Sequence, residues 1–147
     1  MPHEITATIS IFAPPERVWE VLLDFPRYGE WNPFVRSIEG SPTKGSSLRV
    51  AIHPPGGKAM SFRPLVLRYS PAQEFRWKGI LLVPGLFDGE HYFKLEPATD
   101  GSTHFTQGES FTGLLVPLFR STLDRNTKAG FEAMNQALKQ RLERAAA

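Results

Sequence analysis

The chain has 147 residues, enough for one substantial hydrophobic core and not for two, so a single domain over 1–147 is expected. Its apolar fraction of 41% and charged fraction of 22% are those of a folded globular protein and exclude a disordered chain. The 17 Lys and Arg against 15 Asp and Glu leave a net charge of only +2, spread along the chain; no dense basic face is present to neutralise phosphates, so nucleic acid is excluded as a partner.

No apolar run approaches the roughly 20 residues of a membrane helix, so no span is expected. Cysteine is absent, which removes thiol catalysis, iron–sulfur clusters and zinc ribbons. The start, Met1-Pro2-His3-Glu4, lacks the basic and then apolar pattern of a secretory signal, and the expected compartment is the cytoplasm.

Ile5, Ala7, Ile9 and Ile11 alternate with polar residues, which predicts a half-buried first strand. Pro14-Pro15-Glu16 opens a helix carrying Val18, Trp19, Val21, Leu22 and Leu23, and Pro26 ends it. The aromatic, proline-containing stretch 25–35 predicts a second short helix or turn. Short runs punctuated by turn residues then predict six strands, at about 36–40, 47–53, 59–69, 74–81, 87–97 and 103–111, with Asp100-Gly101 the strongest hairpin signal. From Pro117 the period turns helical. Leu118, Leu123, Phe131, Met134, Leu138 and Leu142 fall on or beside one stripe of a helix near thirty residues long, which needs a long surface to lie against.

This element order, with the segment 13–25 (APPERVWEVLLDF), then Tyr28, Trp31, Asn32 and Pro33, and the stretch 108–115 (GESFTGLL) before the last helix, resembles the START-like (SRPBCC) superfamily, and within it the polyketide cyclase/dehydrase branch. The resemblance covers nearly the whole chain. It implies an α+β helix-grip fold, a curved antiparallel sheet of about seven strands around the long C-terminal helix with two short helices after the first strand. It also implies a cavity between the concave sheet face and that helix.

Strand alternation indicates, independently, which side chains face inward. Phe75 and Trp77 oppose Glu74, Arg76 and Lys78; Phe87, His91, Phe93 and Leu95 oppose Glu90, Tyr92, Lys94 and Glu96; Phe105, Gln107, Glu109 and Phe111 oppose His104, Thr106 and Ser110. Met60, Phe62, Pro64 and Val66 are inward by the same parity. From the helix and its approach, Leu115, Phe119, Leu123 and Phe131 join the candidate lining, as does Phe34, while the resemblance implies that Trp31, Asn32 and Pro33 lie near the entrance, against the alternative of a loop packed onto the first helix. Such an aromatic face with few polar groups suits a ligand pocket, and it suits a packed core equally well.

Among polar residues, Glu109, Gln107 and His91 share the inner face, where a carboxylate must be paired, hydrogen-bonded or neutralised. His91, if its strand is adjacent, supplies that partner. Glu109 and His91 are therefore the candidates for proton transfer or for orienting a ligand head, against the alternative of internally satisfied core groups. The segment 81–87 is read as an apolar gate or membrane-touching loop, against plain strand continuation, and His53 with the 54–57 turn as a mobile lip or a simple hairpin. The charges Arg120, Arg125, Lys128, Lys139, Arg141 and Arg144 are read as a solvated helix face. His3, His53, His91 and His104 lack metal-ligand spacing, no cofactor fingerprint is present, and neither metal nor cofactor is expected. The expected function is binding or transport of a small hydrophobic or aromatic molecule by a monomer. The alternatives are a cyclase or dehydratase using the same cavity and a protein-interaction domain of the chaperone-cofactor type.

Overall fold

In the computed structural model, which describes residues 2–81 and 83–146, β1 (His3–Ile11) buries Ile5, Ala7 and Ile11 on one face, as its alternation requires. β1 pairs with β8 (Thr103–Thr112), and the antiparallel order continues through β7 (Phe87–Pro97), β6 (Glu74–Leu81) and β5 (Leu65–Ser70). A three-stranded sheet of β2 (Val35–Glu39), β3 (Arg49–Ile52) and β4 (Met60–Phe62) continues the wall. Residues 45–48 join the two sheets: the Gly45 amide donates to Val66 O, Val66 to Ser46 O and Leu48 to Pro64 O, each at 2.9 Å.

Among the described residues the strands thus number eight in two sheets, where about seven in one were expected. The difference lies at Pro64, which has no N–H to give a ladder. The expected strand 59–69 breaks there, so that Met60–Phe62 pairs with β3 and Leu65–Ser70 with β6. Met60, placed inward by parity with the following strand, is 42% exposed as a result.

α1 (Pro15–Leu23) begins on a proline with Glu16 in its first turn, buries Val18, Trp19 and Leu22, and stops at Asp24. A 3₁₀ turn (Phe25–Arg27) and the single turn α2 (Tyr28–Trp31) follow, so two short helical pieces succeed the first strand. The final helical run comprises α3 (Val116–Thr122), one π-helical turn (Leu123–Thr127) and α4 (Lys128–Ala146). Phe131, Met134, Leu138 and Leu142, three or four residues apart, are at most 1% exposed and join the core. Leu118 was expected on that stripe and is 77% exposed. The π turn holds an extra residue per turn, which rotates everything before it away from the face that α4 presents.

α4 lies along β1. Lys128 Nζ donates to Thr6 O (2.6 Å) and Lys139 Nζ to Ser10 O (2.8 Å), so both cap carbonyls on the free edge of β1, Lys128 while exposed as expected and Lys139 half-buried. Tyr92, expected on the wet face, is 5% exposed: the Arg76 guanidinium and the Lys94 ammonium stand 4.7 and 4.9 Å from its ring centre. Burial, aided by its hydrogen bond to Glu4, pushes its phenol up to about 12. The whole is an α+β helix-grip architecture, and among the described residues no helix is long and apolar enough to cross a membrane.

Candidate functional site

Antiparallel register sets His91 of β7 directly beside Trp77 of β6 on one flank and Glu109 of β8 on the other. Cross-strand neighbours on one face touch. His91 Nδ1 lies 2.9 Å from Glu109 Oε1, and Nε2 lies 3.1 Å from Gln107 Oε1. Gln107 Nε2 donates in turn to Asn135 Oδ1 on α4 at 2.9 Å. Four side chains from two strands and the helix therefore form one hydrogen-bonded chain through the interior.

The surroundings of that chain are aromatic. The Trp77 indole stacks on the imidazole with centroids 4.8 Å apart and planes at 15°, while Phe93 and Phe131 meet it edge-on at 4.7 and 5.1 Å. His91, Gln107 and Asn135 are 2%, 0% and 2% exposed. Glu109 differs, its side chain being 21% exposed, so the chain runs from a partly open carboxylate to a sealed amide. Gly89 makes room for the carboxylate, since a Cβ there would overlap Glu109 Oε2. Among the described residues no hydrogen-bond donor meets that oxygen. At the other end Asn135 Nδ2 is buried without a partner.

Asn135 was missed from sequence, and a signal existed: it lies four residues after Phe131 and three before Leu138, a polar residue beside a stripe of buried apolar ones. Asn32, by contrast, has a structural task. Its Oδ1 accepts from the Phe34 and Val35 amides at 2.9 Å each, fixing the turn into β2.

The other lining candidates divide into two sets. Phe34, Phe93, Phe105, Phe111 and Phe131 are buried members of the core, Phe34 against Phe131 and Phe93 stacked on Phe105. Two hollows among the described residues lie elsewhere: one of about 460 Å³ beside Pro14, Pro71 and Pro97, and one of about 200 Å³ beside Lys78, Asp88 and Ser110. Phe62, Phe87, Leu123, Leu115 and Trp31 are half-buried. Phe119 is 45% exposed with its ring 5.8 Å from Phe87, which itself meets Phe111 at 5.9 Å, so an aromatic row leads from the surface toward the Glu109 end.

That end is covered loosely. Leu114, Leu118 and Val83 are 79%, 77% and 54% exposed. The Leu114 and Leu115 amides donate to Gly85 O and Leu86 O, each at 3.0 Å, tying the 83–86 loop to the start of α3. The expected gate at 81–87 falls partly on Leu82, outside the described residues. The 54–57 turn leans on the π turn, a Cβ at Gly57 lying 3.3 Å from Asn126 Nδ2. His3 pairs with Asp124 at 2.7 Å, His53 and His104 are exposed, and no group of three or more metal-ligating side chains is assembled among the described residues.

Residues 2–143 match the family model for polyketide cyclase/dehydrase and lipid transport proteins. The chain belongs to that family. No curated protein matches it by sequence. Solved structures do match this family member in fold. A START superfamily protein from Mycobacterium smegmatis superposes with a TM-score of 0.75 at 20% identity, covering 97% of this chain and 99% of that one. The Zhui aromatase/cyclase from Streptomyces sp. R1128 gives 0.75 at 16% identity over 100% and 99%. Norcoclaurine synthase from Thalictrum gives 0.77 at 12% over 100% and 98%. These likenesses establish the helix-grip fold. The family's description joins cyclase and dehydrase chemistry to lipid transport, and the side chains must discriminate between them.

Proposed function

We propose that this protein binds a small hydrophobic or aromatic molecule between the concave face of the five-stranded sheet and the C-terminal helix, with the Glu109–His91 pair taking the ligand's polar end. The observation that carries the reading is the form of the site: a partly exposed carboxylate with one unengaged oxygen, set against aromatic side chains and reached along Phe119, Phe87 and Phe111. Most pockets for apolar ligands combine such walls with a few orienting polar groups. Burying even 300 Å² of ligand surface supplies about 7.5 kcal/mol before the cost of immobilisation, the scale of the ~8 kcal/mol that micromolar binding requires, so a ligand burying more than this reaches that range. Admission at this end passes α3 and the 83–86 loop, where Leu114, Leu118 and Val83 are exposed.

Native mass spectrometry of the purified protein beside a denatured control, with extraction of anything released, tests the reading. A retained apolar compound supports it. A clean mass together with no displacement of a fluorescent apolar probe removes it.

A second reading has its own observation. An imidazole bonded to a carboxylate at 2.9 Å beneath aromatic walls is equipped to pass protons to a bound polyketide-like substrate, as a cyclase or dehydratase requires. Glu109→Gln separates the two: turnover is lost with binding retained if the pair transfers protons, and loss of folding marks a structural role instead. A protein-interaction role draws on the exposed Leu114, Leu118 and Val83. It predicts association that Leu118→Glu abolishes while apolar probe binding persists.

A further inference from the structure

The hydrogen-bonded chain ties the orientation of its two amides to the proton state of the ring. Because Gln107 Nε2 donates to Asn135 Oδ1, it is Gln107 Oε1 that faces His91 Nε2, while Glu109 Oε1 faces Nδ1. Amide and carboxylate oxygens only accept. With Glu109 ionised, both ring nitrogens must donate in this arrangement, which is the hydrogen bonding of an imidazolium. The same arrangement leaves Asn135 Nδ2 buried and unpartnered, and orphaned buried N–H groups are rare.

A second arrangement uses the same atomic positions. A half-turn of each amide about its last side-chain torsion exchanges its oxygen and nitrogen and leaves the heavy-atom separations essentially unchanged. Asn135 then donates to Gln107 Oε1, Gln107 donates to a bare His91 Nε2, and His91 Nδ1–H still donates to Glu109. The ring is neutral. The unpartnered atom of Asn135 is now a carbonyl oxygen, an easier group to leave unsatisfied than an N–H.

We propose that Gln107 and Asn135 turn as a pair when His91 changes charge, so that Asn135 offers an amide N–H to the interior when the ring is charged and a carbonyl oxygen when it is neutral. The groups facing the ring are Trp77 from β6, Phe93 on β7, Gln107 and Glu109 from β8 and Phe131 from α4. Glu109 is the ionisable one among them. It accepts from Nδ1 in both arrangements, so the change of charge is read out at Nε2 and passed to the amides. A ligand held as proposed above at the Glu109 end that also reaches inward to the Asn135 amide meets there a polarity set by the ring, a point that rests on the binding reading: the charged state takes a ketone or ester oxygen, the neutral state a hydroxyl.

The relay is tested without any ligand. In ¹⁵N-labelled protein titrated from about pH 5 to 8, where imidazoles ordinarily change charge, NMR follows the His91 ring nitrogens and the Gln107 and Asn135 side-chain amides. Both amides should move with the midpoint of His91, and the neutral ring should keep its proton on Nδ1. In Gln107→Leu, Asn135 should stop responding while His91 still titrates. Wild-type Asn135 signals that ignore the ring, a neutral ring protonated on Nε2, or a ring of constant charge overturns the proposal, and these wild-type outcomes decide it even where the variant fails to fold. The ligand half uses 2-acetonaphthone as acceptor probe and 2-naphthol as donor. Their affinity ratio should shift about tenfold toward the ketone at the acid end, the scale of one buried hydrogen bond. An unchanged ratio with both bound overturns that half. If neither binds while the amides still turn with the ring, the binding reading falls and the relay stands.

Discussion

Gly89 allows Glu109 to lie across β7 and reach His91, because any side chain there collides with the carboxylate. Gly89→Ala should push Glu109 off the imidazole at a stability cost of about 1–3 kcal/mol, the usual penalty for one added carbon in a packed place. Denaturant unfolding gives the cost, and His91 Nδ1 shifts report the lost bond. A retained bond would show that the carboxylate has room to spare. Phe131 poses the complementary question, whether the aromatic interior is core or ligand wall. It is 0% exposed against Phe34 and His91, so Phe131→Ala should cost about 3–5 kcal/mol, seen as a lower denaturation midpoint at unchanged slope. A cost below about 1 kcal/mol would mean that its neighbours collapse into the space. Strand parity placed His91, Gln107 and Glu109 on one face because a two-residue period leaves no choice of side. It could not supply Asn135, since only the crossing of α4 over β8 decides which helical position meets Gln107.

The element scale is where local sequence signals compete with tertiary ones. The first strand, the proline-started α1 and the meander after Glu39 were legible because period and punctuation agree there. The break at Pro64 is where alternation and punctuation conflict: a proline inside a run of alternating residues ends a ladder, and here it passes the chain from one sheet to the other. The π turn left no trace in the pattern, because Leu118 and Leu123 fit an unbroken stripe as well as Phe131 does. Its consequence is that α3 stands apart with Leu118 and Phe119 exposed, and π turns often mark functional sites. Deleting Arg125 should restore α-helical spacing and rotate α3 by about 100° relative to α4, taking Phe119 away from Phe87. Hydrogen exchange should then quicken over 114–122 while β7 and β8 keep their protection. Equal exchange before and after the deletion would show that α3 finds a new seat.

At the scale of the whole molecule, the grip of helix on sheet is fastened near the C-terminal end by charges that acid removes. Glu30 is held below its ordinary value of 4.5 by the hydrogen bond from Arg141 of α4 and by the nearby Arg27. Glu143 is held below the same value by Lys139 and by the Phe12 amide, which follows β1. A carboxylate depressed by folding contributes stability that is present above its unfolded value and is lost as pH falls through the folded one. Both links therefore weaken only below pH 4.5. They join α4 to the α2 turn and to the end of β1, whereas the β7–β8 ladder rests on backbone bonds that acid leaves intact. The two parts of the fold should separate in their response: as pH drops below 4.5, α4 amides should lose hydrogen-exchange protection before those of β7, and Glu30→Gln with Glu143→Gln should remove the difference. Exposed ion pairs are often worth little, and a fold that loosens uniformly in acid would place these two in that class, leaving Phe131, Met134, Leu138 and Leu142 as what holds the helix in its sheet.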